Sequence, residues 1–231
     1  MKLRQHINDR YELYCPDVIA DWDAPSAWEV KRIAHMRETL KDGDVVFDIG
    51  AEHGWISGLI AEVVGGENMV LVEPSQDLWP NIRLTWEANQ FSAPLATVWG
   101  FAGLKTMLSP EVEVWPKHAY GDECHDALPY RSLEHHTDSI PTIAIDDLAA
   151  LVGKPRAITI DVEGAEGLVL SGAMNVLQKD RPLVWVSIHP DLMMKHFAAR
   201  PEHIFSYMRG LGYSKEHLAT DHEEHWFFEP R

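Results

Sequence analysis

The sequence predicts an α/β fold: an open, doubly wound, mostly parallel sheet with helices on both faces. Two observations carry that reading. Short apolar, β-branched runs alternate with longer stretches of helical periodicity, and the first such run ends in a glycine turn, "VVFDIGAEHGWIS", that opens directly into a helical pattern. Strands alternating with helices of this length pair in parallel through right-handed crossovers, and ligands then bind beyond the strand C-terminal ends.

In chain order, Ser26 with Glu29 three residues later fits a capping box. Trp28, Ile33, Met36 and Leu40 then repeat at roughly helical intervals, predicting a helix to about Lys41. "KDGD" turns at Gly43, residues 45–49 read as a buried strand, and residues 55–64 read as a helix. "NMVLVEP" is a second strand ending at Glu73, "SQDLWPNIRLTWEANQ" a second helix and "PLATVWGF" a third strand. Trp79, Ile82 and Trp86 on that helix make a core stripe. Between 103 and 142 the periodicity fails, with Pro110, Pro116, Pro129 and Pro141, so this segment reads as an excursion from the sheet. "RAITIDVEGAE" resumes a strand at Arg156, a helix runs from Ala165 to about Leu177, and "RPLVWVSIHP" is another buried strand. Residues 202–211 form a last helix, followed by a short strand at "GYS" and a final one at "HWFFEP".

With 231 residues and 45% hydrophobic composition, one folded domain is expected. Lys and Arg number 20 against 36 Asp and Glu, a net charge of −16 that repels a phosphate backbone, so nucleic acid is not an expected partner. No apolar run approaches the ~20 residues needed to span a bilayer, and the N-terminus carries no signal-peptide pattern, so a cytoplasmic protein without membrane contact is expected. Cys15 and Cys124 are isolated thiols without zinc or disulfide spacing.

A dinucleotide site calls for G-x-G-x-x-G, whereas the turn has only Gly50 and Gly54, which disfavours a nicotinamide enzyme and suits a ligand without a pyrophosphate. Glu73, at the end of the next strand, is placed to accept hydrogen bonds from two ribose hydroxyls; its alternative is a solvated carboxylate. "DVVFDIGAEHG", "VLVEP", "TIAIDDL", "ITIDVEGAEGLVLSGAMNVL", "RPLVWVSIH" and "LGYSKEHLATDHEEHWFFEP" together resemble the FkbM family of S-adenosylmethionine-dependent methyltransferases, from Gly43 to the C-terminus. The resemblance implies a class I methyltransferase, Rossmann-like sheet of seven mostly parallel strands, with an antiparallel last strand beside the fifth. It makes 1–231 one methyltransferase domain, with an N-terminal extension and helix at 1–42 and a substrate-side insertion at 103–142. It further implies that Asp48, Gly50, Ala51 and Gly54 hold the methionine half of S-adenosylmethionine, Glu73 the ribose, and Phe101 with Ala102 the adenine edge. One departure stands out: the family commonly has Asn after "GA", and this chain has Glu52 and His53.

Methyl transfer needs an aligned nucleophile and often a base. Asp161 and Glu163, just past the fourth strand, face the cofactor crevice, while Glu166 reads as a helix-capping acid. The family sheet brings the start of the last strand, "DHEEH", to His189, so that Asp221, His222 and His225 approach it; His189, His222 and His225 join Asp161 and Glu163 as catalytic candidates, His189 as the neutral base. The same mixture suits a divalent cation, but no compact ligand motif appears and no metal ligand is assigned. His118, Cys124, His125, His135 and His136 match no zinc pattern, and Trp115 with Tyr120 stand where an acceptor would meet them. The resulting expectation is an O-methyltransferase acting on a hydroxyl of a sugar, glycan or other small molecule. Its alternative is a non-catalytic nucleoside-binding or scaffolding protein that keeps the fold. The acceptor and the oligomeric state are not legible.

Overall fold

The structure is a computed structural model that describes residues 3–7, 10–16, 29–121 and 140–231. An antiparallel hairpin of β1 (Leu3–Ile7) and β2 (Tyr11–Pro16) precedes the helix α1 (Val30–Thr39). The alternation then runs β3 (Val46–Ile49), α2 (Trp55–Val64), β4 (Met69–Glu73), α3 (Trp79–Ala88) and β5 (Ala96–Trp99). Three two-residue strands follow, β6 (Phe101–Ala102), β7 (Val112–Glu113) and β8 (Thr142–Ile143). Next come α4 (Ile145–Val152), β9 (Ala157–Ile160), α5 (Glu166–Ser171), α6 (Met174–Lys179) and β10 (Leu183–Ile188). The chain closes with α7 (Pro190–Phe197), α8 (Pro201–Gly210), β11 (Tyr213–Thr220) and β12 (Glu224–Pro230).

Eight strands make the main sheet in the order β11-β12-β10-β9-β3-β4-β5-β7. The five strands from β10 to β5 are mutually parallel, and β12 lies antiparallel between β10 and β11. This is the expected seven-strand arrangement, to which the short β7 adds an antiparallel edge on β5. Side chains alternate between two cores, as the period of a strand requires. Val46, Leu71, Ala157 and Trp185 pack with α1 to α3 and the hairpin, while Phe47, Val70, Ile158 and Val184 pack with the later helices. Trp79, Ile82 and Trp86 form the expected core stripe, and Trp115 packs edge to face on Trp86 at 6.2 Å.

Several local expectations change. The helix expected from Ser26 begins at Val30; Ser26 and Trp28 lie outside the described residues, and Glu29 stands at the N-cap in a left-handed conformation with no side-chain cap bond. α4 and α7 occupy stretches with no helical expectation. The helix expected from Ala165 to Leu177 is two short helices. It breaks because a Cβ on Gly172 would stand 2.0 Å from the Gly103 carbonyl oxygen, and because Asp146 draws the N–H groups of Asn175 and Val176 into a fresh helix start. Cys15 is buried in the first core; Cys124, His125, His135 and His136 lie outside the described residues. Among the described residues no helix is long and apolar enough to cross a membrane.

The α1 face loses its apolar character toward the strand C-termini. Asp48 on β3, Thr159 on β9, Ser187 on β10 and His225 on β12 continue the positions of Val46, Ala157, Trp185 and Phe227 on that face, and all four are buried. The turn after β3 is equally constrained. Gly50 has φ +90°, and a Cβ there would stand 1.8 Å from the backbone oxygen of Asp161. Gly43 has φ +83° and nothing within 4 Å. Chemical denaturation of Gly43→Ala should therefore show only the left-handed penalty of about 1–2 kcal/mol. Gly50→Ala adds the clash and should lose about 2–5 kcal/mol; equal losses would refute the close approach.

Candidate active site

Arg32 organises the polar row. It sits on α1 beside Ile33, and its side chain is 1% exposed. Nη2 donates to Thr159 Oγ1 at 2.7 Å, and Nη1 to Ser187 Oγ at 2.6 Å, Glu29 Oε1 at 2.8 Å and Asp161 Oδ2 at 3.0 Å. Burial opposes ionisation of Asp161, but Arg32 and then His189 outweigh it and hold this carboxyl below its usual range. Asp48 accepts from Ser57, yet burial dominates and lifts it to about 6.

His189 follows β10, with Nδ1 against Glu166 Oε1 at 2.8 Å. Glu166 is fully buried and also accepts the Gly164 N–H at 2.8 Å, so it braces the helix start, as expected of it, and orients the imidazole as well. The other ring nitrogen contacts Glu223 and lies 3.5 Å from Glu163 and 3.8 Å from Asp161. Burial disfavours the charged ring, but Glu166, Glu223 and Asp161 overcome it and push the pKa up to about 11. Near neutrality His189 in this arrangement is a cationic donor, because carboxylates surround it, and not the neutral base expected from its type alone.

At the start of β12, Asp221 Oδ1 meets His225 Nε2 at 2.9 Å and His222 Nδ1 at 2.9 Å. His225 is fully buried, with its other nitrogen 3.1 Å from Ser187 Oγ. The expected meeting of "DHEEH" with His189 is therefore present, but Glu223 makes the contact.

A cavity at these strand ends is lined by Glu29, Arg32, Asp48, Gly50, Ala51, Glu52, Trp55, Ile56, Asp161, Glu163, His222 and Glu223. Of the residues singled out from sequence, Asp48, Gly50, Ala51, Asp161, Glu163 and His222 line it; His189 and His225 stand behind it. Gly54, Glu73, Phe101 and Ala102 do not line it. Glu73 is buried, its oxygens accepting the N–H groups of Ser75 at 2.8 Å and Glu52 at 2.9 Å, and burial raises its pKa to about 7. Phe101 and Ala102 pair with Thr142 and Ile143. A Cβ on Gly54 would stand 3.0 Å from Ile82 Cα, so this glycine makes room for α3. His53 is buried against Asn81 at 2.9 Å, and Glu52 turns into the cavity, where burial and then Asp161 raise its pKa well above the usual range.

Arg32, Thr159, Ser187 and Glu223 are site residues without a sequence expectation, Glu52 stands out in the sequence only as a departure from the family, and Glu29 only as a capping acid. The signals were single polar residues inside apolar runs: Thr159 in "AITI", Ser187 in "LVWVSI", and Arg32 next to Ile33 and four residues before Met36. Three cavity acids, Glu29, Glu52 and Glu163, hold φ of 59°, 48° and 52°. Such conformations cost energy and concentrate at functional sites.

The sequence profile of the methyltransferase FkbM domain matches residues 48–215, well over half of the chain. The chain belongs to the FkbM methyltransferase family. A methyltransferase FkbM from Methylobacillus flagellatus KT is similar in structure, with 18% identity and a TM-score of 0.49, over 82% of this chain and 44% of that one. This family member thus spans less than half of that chain. An rRNA methylase from Streptococcus thermophilus (9% identity, TM-score 0.52, 87% of this chain and 95% of that one) shares the fold. So does a putative rRNA methylase from Clostridium thermocellum (12% identity, TM-score 0.50, 86% and 92%). No curated protein sequence matches the chain.

The site of this FkbM domain has a pH signature. Asp48, Glu29 and Glu73 bind protons more tightly folded than unfolded, with pKa values raised to about 6, 7 and 7, so their contribution to stability is complete below about 4 and is lost as pH rises through those values. His189, raised to about 11, contributes fully below about 6.5 and loses this toward 11. Asp161 and Asp221 are lowered, so their contribution is already complete above about 4. Calorimetric melting temperature should fall between about pH 5 and 9, and His189→Gln should flatten the part above about 6.5. A wild-type melting temperature that rises over this range would contradict the assignment.

Proposed function

We propose that the chain transfers the methyl group of S-adenosylmethionine to a hydroxyl of a sugar, glycan or other small molecule. The single observation behind this reading is the cavity at the C-terminal strand ends, where the turn after β3 meets Asp161, Glu163 and the His189 cluster within the FkbM domain.

The residues fit that cofactor. Its sulfonium and ammonium are cationic, and the cavity presents six carboxyl groups, those of Glu29, Asp48, Glu52, Asp161, Glu163 and Glu223, of which Asp161 is held ionised beside the guanidinium of Arg32. Each oxygen of Glu73 is fixed by one backbone N–H and keeps a lone pair for a ribose hydroxyl. In this assignment Asp48, Gly50, Ala51 and Gly54 form the methionine side, and Phe101 and Ala102 border the adenine. When bound, the cofactor supplies an electrophilic methyl group. The protein's part is to align the acceptor and take its proton. Asp161 is tied to Arg32, whereas Glu163 is half-buried and 3.5 Å from His189; Glu163 therefore takes the hydroxyl proton and charged His189 donates to the carboxylates around it. Buried His225 supports Asp221, and His222 at the cavity wall contacts the acceptor. The net charge of −16 favours a small acceptor over a nucleic acid, although proteins sharing the fold act on rRNA.

Titration calorimetry with S-adenosylhomocysteine should show binding, and NAD none. Glu73→Ala removes two hydrogen bonds to a charged group, each worth ~1.5–3 kcal/mol, and should weaken binding at least tenfold. A screen for S-adenosylhomocysteine release against glycans and small-molecule alcohols identifies the acceptor. With it, Glu163→Gln should lower turnover by about 10²–10⁴ and leave cofactor affinity intact. Comparable affinity for NAD would sink the cofactor assignment, and normal turnover in Glu163→Gln the base.

A further inference from the structure

We propose that Glu29, His222 and Glu223 form a binding site for one divalent first-row transition-metal ion, at the cavity wall where α1 meets the start of β12. One ligand atom from each of the three lies within 4.8 Å of the other two. Ligands held at about 2.0–2.2 Å from a metal are at most about 4.4 Å apart, so a small rotation of these side chains closes the set.

Acids gathered together are common without a cation, but here one of their oxygens is buried without a hydrogen-bond partner. Glu29 is 2% exposed; Oε1 is held by Arg32 at 2.8 Å, and Oε2 has no hydrogen-bond partner. Glu223 is 4% exposed, and its Oε1 faces His222 Nε2 at 3.3 Å. A buried carboxylate oxygen left in this way is costly, and a cation between the two groups removes that cost.

The surrounding contacts suit such a site. Asp221 Oδ1 holds His222 Nδ1 at 2.9 Å, which leaves Nε2 directed toward Glu223, 3.3 Å from Oε1. A carboxylate on the outer nitrogen of a histidine is how ligating imidazoles are oriented. The same Asp221 accepts the Glu29 backbone N–H at 3.0 Å, so one outer carboxylate sets two of the three ligands. Glu29 is held in its left-handed conformation, φ 59°, at this point. His222 is 30% exposed and opens the site to solvent. One imidazole and two carboxylates suit manganese or zinc better than an all-oxygen cation site would.

The three ligands also line the cavity proposed for cofactor and acceptor, so metal binding is measured without either, and its outcome does not depend on methyl transfer. Full-length protein stripped with a chelator is titrated with Mn²⁺, followed by electron paramagnetic resonance, and with Zn²⁺, followed by calorimetry. One saturable site per chain is expected, with a higher melting temperature in the presence of metal. His222→Ala and Glu223→Gln, checked for native fold by near-ultraviolet circular dichroism, should each bind at least about tenfold more weakly and lose the thermal shift. His222 is partly exposed, so its variant should fold even if the Glu223 variant does not. Absence of saturable binding to wild type, or wild-type affinity in His222→Ala, which would mean binding by surface histidines, overturns the proposal.

Discussion

The guanidinium of Arg32 is the contact on which the rest of the site depends. Glu29, Asp48, Asp161 and Glu223 all feel its charge, and it reaches Thr159 and Ser187 on two neighbouring strands. Carboxylates packed at the ends of parallel strands repel one another, and a buried cation bound by hydrogen bonds lets them coexist. Removing one partner from such a buried set typically costs about 3–5 kcal/mol, because the remaining charges keep no compensation. The arrangement also explains why α1 lies against this end of the sheet. Arg32 belongs to the same face as the apolar residues of the helix, so docking the helix delivers the charge.

Around that cation the backbone is shaped by packing before any ligand arrives. Gly50 yields to the Asp161 carbonyl and Gly54 to α3, so both glycines of the turn answer to the chain itself. The turn then lifts Glu52 into the cavity while its N–H fixes Glu73. Glu29, Glu52 and Glu163 reach the cavity from left-handed positions on three separate segments. Conformations that ordinary side chains avoid are thus used repeatedly to converge carboxyl groups on one space.

The sheet was legible because strand and helix periods differ, and the runs at Val46, Met69, Ala157 and Leu183 sit beside clear helical stripes. The order of the last strands came from the family resemblance, since no local pattern tells which neighbour β12 takes. α7 was not legible because Pro190 opens it directly after a strand, and the break at Gly172 depends on the distant Gly103 carbonyl. In the site, acids and histidines at strand ends stood out by position. Arg32 and Ser187 did not, because each occupies an apolar stripe and acquires meaning only across the packed interface. The charge state of His189 depends on carboxylates from two distant segments of the chain, so residue type alone pointed to a neutral base.

A crystal structure with S-adenosylhomocysteine tests the central claim, that the acid-lined space beside Arg32 is where the methyl group is presented. The ribose hydroxyls should lie on Glu73 and the sulfur in the cavity, facing Asp161 and Glu163. A nucleoside bound elsewhere on the chain, or a sulfur turned away from those two carboxylates, would contradict it.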